Sequence, residues 1–120
     1  MDGLWWIFPI AVAVVFGLKR LTFVSAAKAR QLLRDNARVI DVRSRDEFRR
    51  GAVPGAVNIP LDSIREDLPR LVPDRNEVLL LHCLSGTRSA LARRQAIGLG
   101  YRNVHNLGSF GRARKLAATR

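Results

Sequence analysis

The stretch Leu79-Leu80-Leu81-His82-Cys83-Leu84-Ser85-Gly86-Thr87-Arg88-Ser89 limits the possible folds more than any other in the chain. An apolar run ends at the only cysteine, and a short polar loop with one glycine and one arginine follows. Ala90-Leu91-Ala92-Arg93-Arg94-Gln95-Ala96 then has the composition of a helix. The pattern predicts strand, tight loop, helix. In a parallel α/β sheet it sets Cys83 at the carboxyl end of a strand, where ligands bind. A lone cysteine also fits a buried small hydrophobe. The context favours a reactive thiol: loop amides and a helix N-terminus form an anion-binding cup. With Arg88 nearby, those groups favour thiolate over thiol.

Flanking segments extend the same alternation. Leu21-Thr22-Phe23-Val24 predicts a short strand, and Ser25 an N-cap for a helix reaching Asp35-Asn36. Ala26, Ala29, Leu32 and Leu33 fall on one face of that helix. Val39-Ile40-Asp41-Val42 predicts a buried strand, and Ser44 to Arg50 a short charged helix stopped by Gly51. Pro54-Gly55 makes a turn before a brief extended piece that ends at Pro60. A loop and a weak helix occupy Leu61 to Leu71. Glu77 to His82 is the strand entering the cysteine loop, and Tyr101 to Leu107 gives one more. A basic helix from Arg112 to Ala118 closes the chain. Alternating strands and helices imply an α/β fold with a parallel sheet covered on both faces.

One hundred and twenty residues allow one domain with a modest core. Twenty-one Lys and Arg against 10 Asp and Glu give a net charge of +11. No lysine block, base-stacking aromatic array or zinc-spaced Cys/His set accompanies that charge, so no nucleic-acid partner, metal or cofactor is expected. Attraction of small anions, contact with an anionic membrane and a solvated arginine-rich surface all remain open. A single cysteine makes no internal disulfide and gives no sign of an oxidising compartment.

Residues 4–18 are uncharged and almost wholly apolar, with Trp5-Trp6 at one end and Lys19-Arg20 at the other. Fifteen helical residues span roughly 22 Å against a hydrocarbon core of ~30 Å. Gly3 and the snorkelling stems of Lys19 and Arg20 bring the run close to spanning length. A cleaved signal peptide calls for positive charge before the run, and here Met1-Asp2-Gly3 precedes it. Residues 1–20 are therefore expected to be an uncleaved transmembrane anchor, with residues 21–120 on the cytoplasmic side.

Four blocks in order resemble the single-domain rhodanese (thiosulfate-sulfurtransferase-like) family. They are Ile40-Asp41-Val42-Arg43 with Glu47-Phe48; Gly51 through Pro60; Cys83 through Ser89; and Gly100-Tyr101-Arg102-Asn103-Val104 leading to Asn106-Leu107-Gly108. The resemblance covers about Leu21 to Phe110. It implies a mainly parallel five-stranded sheet between helices. It also implies that Cys83 takes a sulfane sulfur from an anionic donor, holds it as a persulfide, and passes it to a thiol or cyanide acceptor. Leu84, Ser85, Gly86, Thr87 and Arg88 would form the substrate loop. Gly86 permits its sharp curvature, and Arg88 offers a fork for a sulfonate-like group, or else closes the loop onto an acidic partner. Thr87 and Ser89 are expected to shape the loop, and Asp41 and Arg43 to form an ion pair or brace at the same sheet edge. His82 should point to the face opposite Cys83. Three positions depart from the family pattern: Leu84 where many members carry a basic or polar residue, Ala52 for a histidine, and Ser109 for a glycine.

Two rivals follow. His82-Cys83 with a loop arginine resembles the protein-tyrosine-phosphatase signature, and an arsenate reductase would use similar chemistry. That signature has five residues between cysteine and arginine, whereas Leu84 to Thr87 are four, a smaller ring that suits sulfur better than a tetrahedral oxyanion. The other rival is a membrane-tethered sulfur carrier with a protein donor or acceptor and little turnover.

Overall fold

The computed structural model describes residues 3–119, without the side chains of residues 19–21. Helix α1 (Ile7–Leu21) precedes α2 (Ala26–Arg34), β1 (Arg38–Asp41), α3 (Arg45–Arg50) and β2 (Val57–Asn58). A 3₁₀ turn (Leu61–Ser63) leads into α4 (Ile64–Leu71), followed by β3 (Leu79–His82), α5 (Thr87–Gly98), β4 (Val104–Gly108) and α6 (Phe110–Ala117). The strands lie in the order β2-β1-β3-β4 and every pairing is parallel.

The period of two along each strand divides the core into two layers. Ile40, Val42, Leu79, Leu81 and Cys83 face Ile64 and Leu68 of α4 and Ala92 and Ala96 of α5. Val39, Leu80 and Leu107 face Ala29 and Leu33 of α2 and Ala113 and Leu116 of α6. A sheet buried on both faces reads as a continuous apolar run, and all four residues of β3 are buried.

The sheet has four strands among the described residues, where five were expected. Helix α1 continues through Leu21, and Ser25 already caps α2 by accepting from the Lys28 amide. Thr22 to Val24 is too short for a ladder. It leaves one parallel bridge, Phe23 beside Asn106, with the Val24 amide 2.9 Å from the Asn106 carbonyl.

The membrane-spanning expectation for residues 4–18 also needs correction. Among the described residues no helix is long and apolar enough to cross a membrane. Residues 3–6 form turns, and α1 begins only at Ile7. Pro9 fits this late start: it has no N–H to give the Trp5 carbonyl, so a helix reaching back to residue 4 would lose that bond. The apolar side chains that remain, from Ile7 to Leu18, are largely exposed around the helix, Phe8 to 74%. The side chains of Lys19 and Arg20, on which the sidedness expectation relied, lie outside the described residues.

Candidate active site

Cys83 follows the last residue of β3 and belongs to the layer facing α5. Gly86 (φ 96°) turns the chain into α5 and has no side chain to cap it. The first amides of a helix have no intrahelical partner, and here the cysteine sulfur takes the place of a capping oxygen. The amides of Gly86 and Ser89 point at Sγ from 3.0 and 3.4 Å, and the Ser89 hydroxyl lies 3.4 Å away. No acidic residue in the first turn of α5 competes for the positive helix end.

Two influences oppose each other at this sulfur. Burial is the largest single one and pushes the thiol up, since Cys83 is 1% exposed. Hydrogen bonds from the Ser89 hydroxyl and amide and from the amides of Gly86 and Ser85 hold the thiolate, and together they prevail. The Cys83 thiol is brought below the ordinary value of 9.0.

The remaining loop residues divide by exposure. Leu84 is 57% exposed at the tip, and its carbonyl accepts from the Phe110 amide at 3.2 Å. Ser85 is exposed and bridges Ser109 in antiparallel fashion. Thr87 is exposed at the start of α5, and Ser89 is buried. The Phe23 ring lies on Gly86 so closely that a Cβ there would sit 2.5 Å from its Cε1 and Cζ atoms.

Arg88 does not hydrogen-bond the sulfur. Its Nη1 and Nη2 atoms lie 2.6 and 3.0 Å from Oε1 and Oε2 of Glu47. Glu47 also closes a capping box at α3, where its carboxylate accepts from the Ser44 amide and its own amide donates to the Ser44 hydroxyl. The Arg88 guanidinium, more than those caps, holds the Glu47 carboxyl down at about 2.

Asp41 and Arg43 pair with each other at the neighbouring strand end. Arg43 Nη2 lies 2.7 Å from Asp41 Oδ2, and Nε lies 3.0 Å from both carboxylate oxygens. The guanidinium also donates to the Gly51 carbonyl at 2.7 Å and covers the Phe110 ring at 4.2 Å. A buried pair of this kind holds only when its other polar positions are satisfied. Neither residue reaches Cys83.

His82 faces the opposite layer, with its ring 6.1 Å from that of Phe110. Its Nε2 has no hydrogen-bond partner and lies 3.7 Å from Asp41 Oδ2. Burial therefore lowers its proton affinity.

Sequence reasoning assigned no role to Glu47, Phe23 or Asn106. The Ser44-x-x-Glu47 spacing is a capping-box signal that could have located the first. Asn106 is 1% exposed on β4, and a buried amide in an apolar strand implies fixed partners. Its Nδ2 donates to the Gly86 carbonyl at 3.1 Å, and its Oδ1 accepts from the Gly108 amide at 3.0 Å and the Ser89 hydroxyl at 2.8 Å.

Residues 25–111 match the Rhodanese-like domain family. The thiosulfate sulfurtransferase PspE of Escherichia coli is 36% identical over 71 residues, which cover 59% of this chain and 68% of PspE. The thiosulfate:glutathione sulfurtransferase of Homo sapiens is 34% identical over 99 residues, 69% of this chain and 84% of that protein. The solved structure of the human single-domain sulfurtransferase TSTD1 superimposes with a TM-score of 0.63 at 32% identity, covering 75% of this chain and 89% of that one. With an amide-lined cysteine in the matched segment and these sulfurtransferases among its relatives, the chain belongs to the rhodanese-like domain family.

Proposed function

We propose that the protein is a sulfurtransferase that carries sulfane sulfur as a persulfide on Cys83. The observation that carries this reading is the sulfur capping α5: one buried Sγ facing the amides of Gly86 and Ser89 and the Ser89 hydroxyl. In the first half-reaction the Cys83 thiolate attacks the sulfane sulfur of thiosulfate. The bond to the sulfonate sulfur breaks and sulfite leaves with the electron pair, so a persulfide anion remains. In the second, cyanide or a thiolate such as that of glutathione attacks the outer sulfur. Thiocyanate or a new persulfide leaves, and the Cys83 thiolate is restored. No proton or external electron is needed once the thiolate exists. The cup and the net charge of +11 favour a small anionic donor.

The Arg88–Glu47 pair weighs against the phosphatase and arsenate reductase readings. A phosphatase needs a free guanidinium over the cup for the tetrahedral oxyanion, and here both arms of the fork are engaged.

Purified protein should transfer sulfur from thiosulfate to cyanide, and Cys83→Ala should abolish the transfer. Mass spectrometry after thiosulfate alone should show one added sulfur atom on Cys83. Turnover that persists in Cys83→Ala would overturn the assignment. A single loading event without turnover would favour the sulfur-carrier alternative and a protein partner.

For location we propose a membrane surface on the cytoplasmic side, with residues 4–18 held in lipid without crossing it. Exposed apolar side chains around α1 support this, as do the single cysteine and the basic charge. The full chain should float with phosphatidylglycerol vesicles. Self-association through α1, with no flotation, would overturn this location.

A further inference from the structure

The Ser89 hydroxyl has one proton and two acceptors, Cys83 Sγ at 3.4 Å and Asn106 Oδ1 at 2.8 Å. Asn106 cannot turn its amine toward Ser89. Its Nδ2 is committed to the Gly86 carbonyl and its Oδ1 to the Gly108 amide, so either flip would bring donor against donor or acceptor against acceptor. The Asn106 atom facing Ser89 is therefore an acceptor. Ser89 and Asn106 are both buried, so water does not supply a third choice. On β4, Asn106 touches the catalytic loop without touching the reacting sulfur.

We propose that Asn106 is a positioning residue that holds the Ser89 proton whenever Cys83 Sγ is uncharged and releases it to Sγ when the thiolate forms. Resting on the persulfide chemistry proposed above, the sequence is a rotation about one C–O bond. When Sγ is an anion, the charge-assisted bond from Ser89 is the stronger one, and Asn106 Oδ1 keeps the Gly108 amide. After sulfur is loaded, the charge sits on the outer sulfur and Sγ is a neutral bridging atom. The hydroxyl then swings to the amide oxygen. No buried polar group is stranded in either state. Rotation of this kind is fast relative to turnover, so the exchange adds no slow step.

The competition gives a signature that simple support of the loop would not. Asn106 stabilises the uncharged sulfur state only through Ser89, so its influence on the thiol must vanish when the hydroxyl is absent. The titratable groups nearby keep their places in such a comparison: Arg88 with its Glu47 partner on the loop side, and the Asp41–Arg43 pair with His82 at the neighbouring strand ends.

The test is a double-mutant cycle on the full chain, reading the Cys83 pKa from the pH dependence of iodoacetamide alkylation. Ser89→Ala should raise the pKa. Asn106→Ala should lower it by about one unit, a tenfold rise in thiolate to thiol ratio, and should have no such effect in the Ser89→Ala background. Asn106→Asp keeps the size and the oxygen facing Ser89 and serves if the alanine variant does not fold. It should raise the pKa, and by more with Ser89 present than with Ser89→Ala. Equal shifts in the two backgrounds, or an upward shift for Asn106→Ala beside Ser89, would overturn the proposal. Alkylation needs no sulfur donor, so failure of the proposed transfer and failure of this coupling are read separately.

Discussion

Arg88 and Glu47 are 41 residues apart in sequence and meet as a two-pronged pair, with Nη1 2.6 Å from Oε1 and Nη2 3.0 Å from Oε2. Of the two roles the sequence leaves for Arg88, substrate contact or closure onto an acidic partner, the second is the one this pairing makes, tying the cysteine loop to the capping box of α3. The pair braces the loop whose Gly86 and Ser89 amides face Sγ.

Glu47→Gln should therefore loosen the loop and reduce kcat/KM for thiosulfate by about tenfold, about 1.4 kcal/mol of transition-state stabilisation. The stability loss should be smaller, at most about 1 kcal/mol, because the pair is partly exposed. The Glu47 carboxyl lies at about 2, below its ordinary 4.5. Its contribution is thus fully present above 4.5 and is lost as pH falls toward 2. Urea titrations should show a constant difference between Glu47→Gln and wild type above pH 4.5, closing toward pH 2.

Gly86 is constrained twice, by a φ of 96° and by the Phe23 ring. Gly86→Ala should cost about 1–3 kcal/mol and abolish most sulfur transfer. Adding Phe23→Ala removes the clash but not the backbone strain, so stability should recover only in part. Full recovery in thermal melts would show that the left-handed conformation is dispensable.

Arg43→Ala leaves the Asp41 carboxylate buried without its partner, a loss of about 3–5 kcal/mol. Asp41→Asn keeps an oxygen for the Arg43 amide and should cost less. Equilibrium unfolding should rank the two in that order, with the cyanide assay following stability rather than exceeding it.

His82 is buried, and its proton affinity is lowered from 6.5 chiefly by that burial. The unfolded chain takes up this proton first, so stability should decline as pH falls below 6.5. His82→Phe removes Nε2, which has no hydrogen-bond partner, together with Nδ1, which lies 3.4 Å from the Cys83 carbonyl. It should remove that part of the slope and, since a larger ring must fit a fully buried site, cost about 1–3 kcal/mol at neutral pH.

The sheet, the loop and the two-layer core were legible because each rests on a local pattern. Leu79-Leu80-Leu81 has the length and flanks of a strand buried on both faces, and Ser85-Gly86-Thr87 before Ala90-Leu91-Ala92 has the composition of a turn into a helix. His82 and Cys83 were separated correctly by strand alternation alone. What was not legible depends on three-dimensional partners. Nothing in Arg88 itself says that Glu47 will be within reach, and nothing in Asn106 says that it will face Ser89. The fifth strand failed for a related reason. Leu21-Thr22-Phe23-Val24 has strand composition, but a helix entering from one side and the Ser25 cap on the other left it no length. The apolar run failed near Pro9, whose missing amide fits the late start of the helix.

Phe23 stands before residue 25, where the family match begins, and only two residues beyond the end of α1. Yet its ring forms a wall against Gly86 and Gly108. The packing around the cysteine loop therefore extends past the edge of the family match. A protein trimmed to the family boundary would lose the ring that covers Gly86 and Gly108 while keeping every residue of the cysteine loop. The linker that carries Phe23 is also tied to the sheet beside it, through the Val24 amide on the Asn106 carbonyl and the Arg112 guanidinium on the Val24 carbonyl. The segment that leaves α1 is thereby part of the packing that shapes the cysteine loop.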